Sequence, residues 1–98
     1  MNNKIIDDAK AAAEALDLAY NQADFPTQIQ LKPSRDAAFE AVDAAERTLI
    51  GSQLAFTPAN ISEMAGIRGE IEKAADTQSL IVGAEKLVAF LAKNVPIA

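Results

Sequence analysis

The sequence predicts an all-α fold: four helices in an antiparallel up-and-down bundle, with a longer loop between the first and second. Three observations predict it. Apolar residues recur at helical spacing through most of the chain. Capping residues, prolines and a glycine divide that pattern into four segments. The length, 98 residues, sets a single domain over positions 1–98.

The first helix is expected from about Asn3 to Ala23. Ile5, Ala9, Ala12, Ala13, Leu16, Ala19, Tyr20 and Ala23 form one stripe, with Asp7, Lys10, Glu14, Asp17 and Asn21 opposite. Asn2 or Asn3 caps its start, and Asp7 and Asp8 sit near the positive end of the helix dipole. Phe25-Pro26 marks the stop. Between Asp24 and Pro33 two prolines bracket Thr27-Gln28-Ile29-Gln30-Leu31-Lys32. This stretch is expected to be a loop that presses Ile29 and Leu31 over the end of the bundle. A strand there would have no partner in a helical chain.

The second helix is expected from about Ser34 to Ile50. Ser34 is its N-cap, Asp36 lies in the first turn and Gly51 is the residue just past its end. Ala38, Phe39, Val42, Ala45 and Leu49 face inward. The third helix has the clearest local signal: Thr57 caps it, and Pro58 occupies a first position whose N–H would be unpaired anyway. It is expected to run as one rod over 58–75, with Met64, Ile67, Ile71, Ala74 and Ala75 inside. Asp76-Thr77 makes a tight turn, and Thr77 caps a fourth helix to about Asn94. Leu80, Ile81, Ala84, Leu87, Val88 and Leu91 are its inner residues. So short a turn makes the third and fourth helices antiparallel neighbours.

Composition limits the chemistry. Half of the residues are apolar, but many are alanine, so Ile, Leu and Val must fill the core. The few aromatics are Tyr20, Phe25, Phe39, Phe56 and Phe90. Histidine and cysteine are absent, which removes the usual acid–base residue near neutral pH and the usual thiolate nucleophile. Ser34, Thr57 and Thr77 read as caps, and Ser52, Ser62 and Ser79 have no histidine to activate them. No cysteine also means no disulfide framework, which fits a cytoplasmic protein. Asp7 and Asp8 interrupt any signal-peptide core, and no apolar run nears the roughly 20 residues that span a bilayer. The net charge of −5 opposes non-specific binding to nucleic acid or anionic membrane.

Four groups of residues invite a functional reading. Asp36, Glu40, Asp43 and Arg47 share one outward stripe of the second helix. Stacked acids of this kind hold a hard cation through oxygen ligands. The plainer reading is a solvated face, with Asp43 and Arg47 as an i,i+4 pair worth roughly 0.3–0.5 kcal/mol. On that reading no metal and no cofactor is expected.

Gly66-Ile67-Arg68-Gly69 resembles the G-x-x-G loop of KH domains, which clamps a nucleic-acid backbone. The resemblance implies a nucleic-acid-binding role for this segment, and it requires a sheet for which only Gln28–Leu31 and Ser79–Val82 are candidates. Ile61 to Ile67 is similar to the first helix and turn of a helix-turn-helix, which implies DNA binding by the helix that follows. There Glu72 stands where that family wants an apolar residue.

The same glycines also read as packing. Ser62, Gly66, Gly69 and Lys73 lie on the side of the third helix away from Met64, Ile67 and Ile71, giving a strip with little side-chain bulk. Two helical glycines cost roughly 1 kcal/mol each relative to alanine, which close approach by another backbone would offset; the alternative is that they are simply tolerated, or mark a kink or helix break. Finally, Leu18 projects with Ala11 and Ala15 from the polar side of the first helix. Val82, Ala89 and Phe90 lie off the inner stripe of the fourth, and Val95-Pro96-Ile97-Ala98 is an apolar tail. Such outliers suggest a subunit interface, and for the tail the alternative is that it folds back onto its own core.

The expectation is therefore a non-enzymatic protein-interaction or assembly module. It would act as a homodimer or dock a partner helix through Ser62, Gly66, Gly69, Lys73, Leu18, Val82 and Phe90. The alternative is a small nucleic-acid-binding domain using Gly66 to Gly69.

Overall fold

Local capping decides where the second, third and fourth helices begin, and it differs from expectation at two of these three starts. The computed structural model describes residues 4–49 and 56–95. It contains α1 (Lys4–Gln22), α2 (Phe25–Leu49), α3 (Pro58–Glu72) and α4 (Thr77–Asn94), with no strand among the described residues. Asn2, Asn3, Ile50, Gly51 and Pro96 to Ala98 lie outside the described residues.

The expected loop between the first two helices is the main correction. Only Ala23 and Asp24 separate α1 from α2, and the segment around Thr27 to Lys32 is helical. Asp24 is the reason. Its carboxylate accepts the Thr27 N–H at 3.0 Å and its carbonyl accepts the Gln28 N–H at 2.9 Å, so it caps α2. Pro26 then falls in the first turn, where a missing N–H costs nothing. Pro33 does sit inside the helix, where proline typically costs about 3 kcal/mol. Burial of Leu31 and links to α1 offset that cost. Gln28 donates to the Tyr20 carbonyl at 2.9 Å, and Arg35 pairs with Asp17 at 2.6 Å. The Arg35 guanidinium also lies 5.2 Å from the ring centroids of Tyr20 and Phe39. Ser34 and Asp36 are consequently mid-helix residues. Leu31 is buried as expected, whereas Ile29 points outward.

The start of α3 follows the sequence. Thr57 accepts the Asn60 N–H at 3.1 Å, and the Asn60 side chain accepts from the Thr57 N–H. The helix ends at Glu72, three residues short of expectation, with Lys73 as its C-cap. Asp76 rather than Thr77 caps α4, accepting the Ser79 N–H at 2.7 Å.

Ile5, Ala9, Ala12, Leu16, Val42, Met64, Ile67, Ile71, Leu87, Phe90, Leu91 and Val95 belong to one continuous core. Directions alternate along the chain. Lys10–Glu46 and Asp17–Arg35 join antiparallel α1 and α2. Glu70–Lys86 and Asn60–Asn94 join antiparallel α3 and α4. Around the bundle the order is α1, α2, α4, α3. Thus α2 and α3 occupy opposite corners, and residues 50–57 connect them. Two neighbouring pairs therefore run parallel: α1 with α3, and α2 with α4.

Candidate interaction surface

Each residue expected to face a partner has a definite place. Ser62 and Gly66 are exposed on α3 and Gly69 is half-buried there, while Lys73 is exposed as the C-cap just past its end. A Cβ placed on Gly66 or Gly69 meets nothing within 4 Å, so neither glycine serves close packing among the described residues. Leu18 is 58% exposed, at the rim of a groove between α1 and α3 that Ala15, Ala19 and Ile71 also line. Val82 is half-buried and shares a depression with Lys73 beside the α3–α4 turn. Phe90 is a correction: it is 3% exposed and belongs to the core, because it turns toward α3 rather than outward. The residues thus fall on several surfaces and form no single patch.

The close-packed glycine is Gly83, which drew no attention in the sequence. A Cβ there would lie 2.6 Å from Cγ1 of Ile71, so α3 and α4 approach each other at that point. The signal was available. Gly83 is flanked by Leu80, Ala84 and Leu87, the inner stripe of its helix.

Arg68 is committed to the fold. Asp8 is 1% exposed, and its carboxylate accepts from Nη1 of Arg68 at 2.8 Å and from Nζ of Lys4 at 3.0 Å. Burial pushes the Asp8 pKa up, but the paired hydrogen bonds and charges of Arg68 and Lys4 outweigh it and hold the carboxyl below its usual range. Arg68 also reaches Glu72 through Nε at 3.1 Å. Gly66 to Gly69 lies within a helix. It has neither the loop geometry of a G-x-x-G clamp nor a turn at Gly66, and its one basic side chain already has two carboxylate partners.

The acidic stripe of α2 divides in two. Asp36 is paired with Lys32 at 2.7 Å and with Arg35 at 2.9 Å, which lowers its pKa. Glu40 and Asp43 have no ion pair among the described residues, and the expected Asp43–Arg47 pair does not form. No group of three or more potential metal ligands is assembled among the described residues. No helix among them is long and apolar enough to cross a membrane.

A surface that sequence reasoning missed lies on α2. With Asp24 to Pro33 helical, Phe25, Ile29, Pro33 and Ala37 fall four residues apart and form one outward ridge. Phe25 is 73% and Ile29 is 59% exposed. At Pro33 and Ala37 the ridge enters a groove of about 350 Å³ between α2 and α4. Ala84 is buried at its base, Ser34 and Val88 are half-buried along its walls, and Glu85 and Ala89 stand on the opposite rim. Glu85, like Glu40, has no ion-pair partner among the described residues.

Comparison of the chain with family models, with curated proteins and with solved structures finds no match. The functional reading therefore rests on the geometry of this chain.

Proposed function

We propose that this chain is a non-enzymatic, cytoplasmic protein-interaction module, which assembles with a second copy or docks a helix of another protein. One observation carries the reading: the ridge of Phe25, Ile29, Pro33 and Ala37 stands in solvent and runs into an apolar groove. Covering a Phe or Ile side chain contributes roughly 1.5–3 kcal/mol. An i,i+4 ridge is also the shape that interdigitates with another helix. The docking surface therefore moves from the α3 strip of Ser62, Gly66, Gly69 and Lys73 to α2 and α4. Leu18 and Val82 lie away from it.

Sedimentation equilibrium from low to high micromolar concentration tests the reading, comparing the wild type with an Ile29→Glu, Ala37→Glu variant. Crosslinking of the wild type in its native lysate extends the test to other proteins. The expected result is an assembly in one of the two settings that the variant loses while keeping its helix content and melting temperature. A wild type that is monomeric throughout and crosslinks no differently from the variant refutes the proposal.

A further inference from the structure

We infer that the start of α2, from Phe25 to Lys32, is a latch hinged at Pro33, which unwinds as one unit while the rest of the bundle stays folded. Unwinding disperses Phe25 and Ile29, so the apolar ridge is whole only when the latch is closed. The inference is independent of what covers that ridge.

Three observations divide α2 at Pro33. The first is burial. Leu31 is the one buried residue over 25–33, and it stands outside the continuous core. No other residue of that stretch is in the core or among the partly buried apolar residues packed on it. Beyond the proline the pattern changes: Ala38, Val42 and Ala45 belong to the core, and Phe39, Ala41 and Leu49 pack against it.

The second observation is the backbone. Pro33 has no N–H to give to the Ile29 carbonyl, and its ring crowds that carbonyl. Sharp departures from helix geometry concentrate at such positions.

The third is the set of tethers. Among the described residues the latch makes one hydrogen bond to α1, from Gln28 to the Tyr20 carbonyl at 2.9 Å. Ion pairs to α1 begin past the hinge, with Arg35–Asp17 and Glu46–Lys10. Lys32–Asp36 crosses the hinge at 2.7 Å, but at the surface, where such a pair adds little. A segment with few buried contacts and exposed helix bonds opens at a lower free energy than the whole domain. The latch is joined to α1 by Ala23 and Asp24 and to the rest of α2 by Pro33. Opening therefore leaves a loop over 23–32 instead of a swinging arm.

Native-state hydrogen exchange, read amide by amide on the full chain, tests this. The Ile29, Gln30, Leu31 and Lys32 amides are expected to share one protection factor. That factor lies below those of Ala45 and Leu87 by about tenfold or more. Val42→Ala, in the core beyond the hinge, removes two methyl groups and lowers protection at Ala45 and Leu87 by about tenfold. It leaves the latch amides unchanged, because the core is folded whether the latch is open or closed. Pro33→Ala restores the bond to Ile29 and raises protection of the latch amides by about tenfold or more.

Three results overturn the inference. Latch amides that fall with the core on Val42→Ala open only when the whole domain unfolds. Protection that climbs residue by residue from Ile29 to Lys32 is ordinary fraying of a helix start. Latch amides indifferent to Pro33→Ala remove the proline as the hinge.

Discussion

The α1/α3 seam and the α2/α4 seam are both pairs of parallel helices, yet only the first encloses a charge with its partners. At the first, Asp8 is driven into one end of the seam and clamped by Lys4 and Arg68, and a groove opens farther along beside Leu18. At the second, small side chains leave an open apolar groove, and the Glu85 carboxylate on its rim has no counter-ion among the described residues. A charge enclosed with its partners is committed to the fold. A charge left unpaired at the surface is not. The contrast marks Asp8 as a structural acid in a chain that carries 14 acids.

The largest expected effect lies at the closed seam. Asp8→Asn keeps the side chain's shape but removes the charge that Lys4 and Arg68 address. A hydrogen bond to a charged group contributes roughly 1.5–3 kcal/mol, so the loss is expected at about 2 kcal/mol in urea unfolding at neutral pH. Its pH dependence follows from the lowered Asp8 pKa. The ionised Asp8 contributes fully above its unfolded value of about 3.9, and that contribution disappears as the pH falls through the lower folded value. The gap between wild type and variant therefore narrows below about pH 4. A gap that stays constant there removes the ionised carboxylate as its cause.

At the open seam the matching experiment has the opposite sign. Pro33 lies mid-helix on an exposed ridge, where proline typically costs about 3 kcal/mol, less about 0.4–1 kcal/mol regained by stiffening the unfolded chain. Pro33→Ala is thus expected to stabilise the protein by about 2 kcal/mol. Unchanged or lower stability in thermal unfolding would show that the Pro33 ring makes compensating contacts along the groove.

What the sequence disclosed follows the range of each interaction. Apolar periodicity gave four helices, and Thr57-Pro58 located the start of α3, because those signals act within a few residues. The α1–α2 turn was misread because two prolines outweighed one aspartate. Pro26 in a first turn and Pro33 on a solvated face are both tolerated, and Asp24 was not weighed as a cap. That error concealed the ridge, since Phe25, Ile29, Pro33 and Ala37 share a face only if the segment is helical. The Asp8–Arg68 pair was beyond reach for a different reason. Its partners lie on helices whose adjacency depends on the diagonal placement of α2 and α3, which no local pattern specifies. Of the expected site, the exposure of Gly66 and Leu18 was legible. Phe90 was placed outside because its position flanks the α4 stripe, and α3 packs on that flank.

The glycines give a smaller, paired effect. Gly66→Ala enters open space on a helix and gains propensity, up to about 1 kcal/mol. Gly83→Ala gains the same propensity but drives a methyl group to within 2.6 Å of Ile71, and overpacking of this kind costs about 1–3 kcal/mol. The two substitutions are expected to move the melting temperature in opposite directions, Gly66→Ala upward. A downward shift for Gly66→Ala would mean that the outer strip of α3 is covered in the native assembly.

The smallest effect on stability discriminates best between folding and docking. Ile29→Gln removes apolar surface from a site already 59% exposed, so folding is expected to change by less than about 0.5 kcal/mol. The same change on the closed seam, Ile71→Gln, places an unsatisfied amide in the core and unfolds much of the population. If the ridge serves only the isolated fold, Ile29→Gln leaves every measurement alone. If it receives a helix, binding weakens by about tenfold while the melting curve stays in place, because the apolar contact exists only in the complex. Stability and association then respond to different residues on the two sides of one small bundle.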